Sequence, residues 1–171
     1  FDGSGFVREA LEKGALGAVT ENLGIVGENI YLVEDVLKTL QVLAVNYRRS
    51  FDIPIIVIGG SNGKTTSRGL VYDVLKTKYK VHSSSESFNN HIGVPLSILS
   101  MDPKTEIGIF EIGANHPGEH TALLEILNPA MVIVTNNGFD HLEGFGSPMG
   151  SRMANKELYD WARQYKLPAL V

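Results

Sequence analysis

The chain has 171 residues, 43% hydrophobic and 20% charged, with a net charge of −4. That is an ordinary globular balance, with room for one domain or one domain plus part of another. The negative charge excludes a nucleic-acid surface working by bulk electrostatics. The absence of cysteine excludes disulfides and thiolate metal sites and fits a reducing cytoplasm, and no apolar run is long enough for a membrane span.

In chain order, Phe6, Val7, Ala10 and Leu11 predict a helix over 5–13 that stops at Gly14. Short strands are expected at Gly17–Thr20 and Ile30–Val33. A longer helix follows from about Asp35 to Ser50, with Val36, Leu37, Leu40, Leu43, Ala44 and Tyr47 on one face. Pro54 marks a boundary, and a domain junction is expected near 50–53. The run Pro54-Ile55-Ile56-Val57-Ile58 then predicts a buried strand leading into Gly59-Gly60-Ser61-Asn62-Gly63-Lys64-Thr65-Thr66. Beyond it come a helix near 65–78, strands at 80–82, 107–112 and 131–135, helices near 118–127 and 151–164, and the start of a strand at 167–171. Strands alternating with helices predict an α/β fold with a mainly parallel sheet flanked by helices, and a ligand site at the strands' carboxyl ends. The chain opens at Phe1 and closes on an unfinished strand, so it is expected to be a piece of a longer protein.

The segment from Gly59 to Thr66 carries the strongest chemistry. A β-branched strand, a glycine-rich turn and Lys-Thr at a helix start form a cradle for a nucleotide triphosphate. Glycines let backbone N–H groups approach phosphates, Lys64 reaches the outer phosphates, and the Thr65 hydroxyl suits magnesium. The strict phosphate-loop pattern has glycine six positions before the lysine. Ile58 stands there, so the loop is a variant. A glycine-rich strand–helix turn with an incidental lysine would have no reason to place all these parts in order.

Three further loops fall at the same sheet edge. Glu111 ends a strand otherwise free of charge, where an acidic group either holds magnesium or orients water, or is merely a solvated terminus. Thr135-Asn136-Asn137-Gly138-Phe139-Asp140-His141-Leu142-Glu143 ends the next strand, and His141 could ligate a metal with Asp140 or Glu143 orienting it. His82, His91, His116 and His120 have no zinc-like spacing and read as surface or substrate-facing. In Ser87–Leu96, Asn89 and Asn90 either read polar edges of a substrate or cap a turn.

Together GSNGKTT (Gly60–Thr66), FNNHIGVPLSIL (Phe88–Leu99), EIGANHPGEH (Glu111–His120) and HLEGFGS (His141–Ser147) resemble the Mur ligases of peptidoglycan synthesis. Phe1–Ala15 is similar to the end of that family's UDP-binding domain. The resemblance implies residues 1–51 as the C-terminal part of a UDP-substrate-binding domain and 52–171 as the first part of a central ATP-binding domain. It implies a cytoplasmic, monomeric, ADP-forming ligase that uses ATP and Mg2+ and passes through an acyl phosphate. FNN-x-IGVPL and GANHPGE point to the branch acting on UDP-N-acetylmuramoyl-tripeptide and D-alanyl-D-alanine, with neither nucleic acid nor membrane insertion. Gly60, Ser61, Asn62, Gly63, Lys64, Thr65, Thr66 and Asn136 would lie at the nucleotide. Thr65 and Glu111 would hold one magnesium and His141 a second, Lys64, Glu111 and His141 would serve catalysis, and Asn89 and Asn90 would face the UDP-sugar peptide.

Four departures stand out. Gly59 replaces a usual threonine, which is expected to loosen the loop. Ser84-Ser85-Glu86-Ser87 replaces Thr-x-Gly-Asn and sets a carboxylate near a phosphate-rich site. Asn155 falls where the family carries a carbamylated lysine, and Lys156, one helical step or about 100° away, points elsewhere. The family's C-terminal domain is missing, so these 171 residues alone are expected not to catalyse the reaction. Two other readings remain: a degenerate ATP-binding module, and a superfamily ligase for a folate or poly-amino-acid substrate.

Overall fold

The computed structural model describes residues 3–85, 88–138 and 148–171, the last segment as backbone only over 148–151. Packing divides the chain into two units, 1–42 and 43–171.

In the first unit a 3-10 turn, Gly3–Phe6, runs into α1 (Val7–Glu12). Then β1 (Ala18–Thr20) pairs in parallel with β2 (Ile30–Leu32). Asp35 opens α2 (Val36–Arg49) as a side-chain cap, its Oδ1 accepting from the Lys38 N–H at 2.7 Å. The division between units falls within this helix.

The second unit is built on β3 (Ile55–Gly59), whose five apolar or small residues suit a strand covered on both faces. It is followed by α3 (Lys64–Leu75), β4 (Val81–Ser83), α4 (Gly93–Leu99), β5 (Ile107–Glu111), α5 (Glu119–Leu127), β6 (Met131–Val134), α6 (Pro148–Tyr165) and β7 (Ala169–Leu170). The described strands form a parallel sheet in the order β4-β5-β3-β6-β7. The chain steps from β3 to one side of the sheet and later to the other, which leaves a crevice at the carboxyl end of β3.

The period-2 alternation of β3 splits the core. Ile55 and Val57 join Phe110, Val132 and Val134 against Val94 and Ile98 of α4, Leu123, Leu124 and Leu127 of α5, and Leu158 and Ala162 of α6. Ile58 joins Ile107, Ile109 and Ile133 on the other face, under Val71, Tyr72 and Leu75 of α3. At the sheet's opposite edge the buried Arg48 guanidinium ties β3's approach to the end of α5. It donates to the carbonyls of Leu127 (2.9 Å), Phe51 (2.9 Å), Ile53 (3.2 Å) and Asn128 (3.4 Å). Burial lowers its pKa, partly offset by Asp52.

The expected strands and long helices are present within a few residues. The exception is α4, which the Pro95 entry only hinted at; proline suits a first helical turn because no partner is needed for its missing N–H.

Candidate functional site

The loop from Gly59 to Thr66 leaves β3 and enters α3 at the carboxyl edge of the sheet, between the ends of β5 and β6. Gly60 has φ +117°, and a Cβ there would lie 2.5 Å from Thr135 Oγ1 and 2.9 Å from the Asn136 carbonyl oxygen. Only glycine fits that close approach. Gly63 caps α3 in the left-handed region, and the first N–H groups of the helix have no intrahelical partner. The loop is therefore an anion nest at a helix N-terminus.

The Lys64 ammonium folds across the loop, donating to the carbonyls of Gly60 at 2.7 Å and Ser61 at 2.9 Å. Thr65 Oγ1 donates to Glu111 Oε2 at 2.9 Å, which joins the loop's hydroxyl to the acidic end of β5. Glu111 is only 3% exposed, so it is no solvated strand terminus. Its N–H donates to the buried Ser84 hydroxyl at 3.2 Å, Asn89 Nδ2 donates to its Oε1 at 3.4 Å, and the Arg68 guanidinium approaches Oε2 at 3.6 Å. Thr66 is exposed in the first turn of α3.

Asn136, expected near the nucleotide, is bonded to the phosphate loop itself. Its side chain grips the Asn62 backbone from both ends: Oδ1 accepts from the Asn62 N–H at 3.0 Å, and Nδ2 donates to the Asn62 carbonyl at 2.9 Å. Its own carbonyl accepts from the Ser61 N–H at 3.2 Å. Two of the loop's N–H groups are thus turned toward Asn136 rather than toward a phosphate. The Thr135 hydroxyl adds a bond to the Asn62 carbonyl at 2.6 Å.

The two amides of the FNN segment part company. Asn89 faces Glu111, whereas Asn90 Oδ1 accepts from the N–H groups of Ile92 and Gly93 at 3.0 and 2.9 Å and so closes the turn into α4. The turn-capping alternative holds for Asn90. Asp140, His141, Glu143, Glu86 and Ser87 lie outside the described residues. Among the described residues no three His, Cys, Asp or Glu side chains converge as a metal centre. No described helix is long and apolar enough to cross a membrane.

Two expectations are corrected by packing. Gly59 does not loosen the loop: a Cβ there would come within 2.5 Å of Leu158 Cδ1, so the buried Leu158 of α6 fills that space. His120 is no surface group. It is 3% exposed, its Nδ1 bonds the Ala154 carbonyl at 3.0 Å, and Nε2 has no hydrogen-bond partner. Burial lowers its pKa against the opposing influence of the Ala154 carbonyl and Glu157, so the ring stays neutral at pH 7. His82 is lowered likewise by burial and is bonded to the Ser97 hydroxyl at 3.0 Å.

Helix α6 reaches both the phosphate loop and the start of α5. Glu157 caps α5, accepting from the N–H groups of Gly118 at 2.6 Å and Thr121 at 2.8 Å and from the Thr121 hydroxyl at 2.8 Å. Asn155 is 4% exposed, and its Nδ2 donates to Ser61 Oγ at 3.2 Å and Asn137 Oδ1 at 3.3 Å. Lys156 is turned outward, paired with Asp160 one helical turn on. An open groove of about 690 Å3 lies at the opposite edge of the sheet, lined by Phe51, Trp161 and Tyr165 among others, and contains none of these residues.

Residues 58–169 match the Mur ligase middle domain. The chain belongs to the Mur ligase family. Its relatives include the UDP-N-acetylmuramoyl-tripeptide–D-alanyl-D-alanine ligase of Bacillus subtilis, 37% identical over 167 residues, with 96% of this chain and 36% of that protein covered. The enzyme of the same name from Synechocystis is 37% identical over 161 residues, covering 92% and 36%. Among solved structures, the MurF ligase of Thermotoga maritima in complex with ADP superposes with a TM-score of 0.84 at 34% identity, over 92% of this chain and 37% of that one. MurF of Acinetobacter baumannii superposes at 0.86 with 29% identity, covering 94% and 36%. The chain thus spans about a third of the length of the relatives it matches.

Membership of the Mur ligase family implies magnesium. Thr65 Oγ1 and Glu111 Oε2, hard oxygen donors in contact at the phosphate-loop mouth, fit such an ion. A carbamylated lysine does not fit: Asn155 has no amine to accept carbon dioxide, and the Lys156 ammonium is in solvent with Asp160. Arg68, Ser84, Asn137 and Glu157 were not among the expected site residues. A basic residue four after Lys64 would have been the one usable signal, since i and i+4 share a helix face.

Proposed function

We propose that this chain is the nucleotide-binding part of an ADP-forming ligase that joins D-alanyl-D-alanine to UDP-N-acetylmuramoyl-tripeptide in the cytoplasm. The observation that carries the reading is the Thr65–Glu111 contact, which joins the phosphate loop to the buried acidic end of the neighbouring strand. The names of its relatives support the substrate pair. On this reading residues 1–51 end a UDP-substrate domain, residues 52–171 begin the central domain, and the protein acts as a monomer.

An oxygen of the tripeptide carboxylate attacks the γ-phosphorus of ATP, and the bond to the bridging β–γ oxygen breaks to release ADP. The amine of D-alanyl-D-alanine then attacks the acyl carbon, loses a proton, and expels phosphate. The nest at Gly60–Thr66 holds the polyphosphate, and the Lys64 ammonium moves from the Gly60 and Ser61 carbonyls to the outer phosphate oxygens. Asn136 fixes the Asn62 backbone, so that the Lys64 side chain moves on a loop already held in place. Thr65 and Glu111 would hold a magnesium ion, which would supply charge neutralisation. His141 remains the expected holder of a second ion. Asn89, bonded to Glu111, would face the UDP-sugar peptide, while Asn90 shapes the segment that carries it.

A second reading is favoured by Asn155: a nucleotide-binding module that no longer transfers phosphate. Phosphate release by the full-length protein separates the two. Release that requires ATP, the UDP-tripeptide and D-alanyl-D-alanine together is expected; ATP binding with no release under any combination would establish the module. The 171 residues alone are expected to release none.

A further inference from the structure

Ser61 sits inside the phosphate loop and is 7% exposed, yet its hydroxyl oxygen is surrounded by donors. The Gly138 N–H donates to Oγ at 2.9 Å, and Asn155 Nδ2 donates to the same atom at 3.2 Å. A serine hydroxyl has two acceptor positions and one proton to give. Both acceptor positions are filled here, one by a backbone amide that cannot reverse its role. The Ser61 proton therefore has to point away from both.

We propose that Asn155 is a positioning residue for nucleotide binding, which holds the Ser61 hydroxyl as a hydrogen-bond donor to a phosphate oxygen of ATP. The proposal rests on the reading of the loop as an ATP cradle. Asn155 reaches Ser61 from α6, and its second bond, to Asn137 Oδ1 at 3.3 Å, fixes the amide's orientation and joins the segment after β6 to the same cluster. Ala154 and Leu158 anchor that part of α6, the first through its carbonyl on His120 and the second through its side chain against Gly59. The amide thus arrives from a rigid element at a fixed distance, which is what a preorganised donor needs. Charged alternatives at position 155 would act differently. A carboxylate would accept the Ser61 proton and withdraw it from the phosphate, besides repelling the ligand.

The order of two substitutions tests this in the full-length protein, with ATP affinity read by calorimetry and folding by thermal melting. Asn155→Ala leaves Gly138 in place and is expected to weaken ATP binding by about threefold to tenfold. Asn155→Asp, nearly isosteric, is expected to weaken it more, by about thirtyfold or beyond, because the hydroxyl now donates to the carboxylate. Ser61→Ala should lose about tenfold, and adding Asn155→Ala to it should cost nothing further, since the two act through one hydrogen. Affinity for the UDP-tripeptide should be unchanged throughout. Aspartate binding ATP as well as alanine, or additive losses in the double variant, would overturn the proposal. If Asn155→Ala does not fold, Asn155→Asp is compared with Ser61→Ala instead, and aspartate binding ATP as well as or better than Ser61→Ala would overturn the proposal. Absence of ATP binding by the parent protein would overturn the functional reading itself, and this proposal with it.

Discussion

Replacing Lys64 with methionine in the full-length protein is expected to lower the rate of phosphate release by about a thousandfold while leaving the fold intact. Methionine keeps most of the lysine's unbranched stem, so packing at the start of α3 survives. What is lost is the ammonium, which in the structure bridges the Gly60 and Ser61 carbonyls at 2.7 and 2.9 Å. Those carbonyls lie at a part-buried loop and can turn to water, so the stability cost is that of ordinary hydrogen bonds, about 1 kcal/mol. The transferring phosphoryl group has no such substitute, because its developing charge needs a fixed cation. The check is steady-state phosphate release beside a melting curve. A rate within tenfold of the parent would show that Lys64 is only a clasp on its own loop.

Glu111→Gln is the second large effect. Glutamine preserves shape and one acceptor oxygen but removes the negative charge on which Thr65, Asn89 and Arg68 converge. The magnesium concentration needed for half-maximal activity is expected to rise by at least about tenfold, since Glu111 is the one charged side chain expected to hold that ion. Arg68 has a side chain 11% exposed and loses its counter-charge, so stability should fall by about 1–3 kcal/mol. Magnesium titration of phosphate release reads the first effect and chemical denaturation the second. An unchanged magnesium requirement would remove Glu111 from the metal site and leave it as Arg68's partner alone.

Much of the second unit was legible because its physics is local. A β-branched run with both faces covered, a glycine-rich turn and a lysine at a helix start specify strand, loop and helix without reference to the rest of the chain. Thr65 and Glu111 were legible one at a time, and their contact follows from the topology that sets β5 beside β3. The bracing of the loop was not legible. Asn136 reads from the sequence as a polar residue after a strand, equally suited to a ligand. Its grip on Asn62 depends on β6 lying on the other side of β3. The turn-closing use of Asn90 was legible only as one of two alternatives, for the opposite reason. It is a short-range cap, and a short amide three residues before a helix has a local use that competes with any distant one.

Position 155 shows how a missing side chain can mislead. The sequence there registers a loss, an amine replaced by an amide that cannot carry a carbamate. The structure registers a gain, because a short, uncharged donor reaches Ser61. Lys156 does not compensate: it points away and pairs with Asp160. Gly59 follows the same pattern, an apparent loosening that Leu158 fills from the same helix. Both departures from the family pattern thus lie where α6 touches the phosphate loop, Asn155 on the helix against Ser61 and Gly59 on the loop against Leu158.

The central claim is that a carboxylate is activated by phosphoryl transfer at this loop. It is tested most directly by following oxygen. UDP-tripeptide labelled with oxygen-18 in its terminal carboxylate is incubated with ATP, D-alanyl-D-alanine and the full-length protein, and the released phosphate is weighed by mass spectrometry. The account predicts one labelled oxygen in each phosphate released, since the attacking carboxylate oxygen leaves with phosphorus when the amide forms. Unlabelled phosphate, with the label kept on the peptide or lost to water, would contradict it.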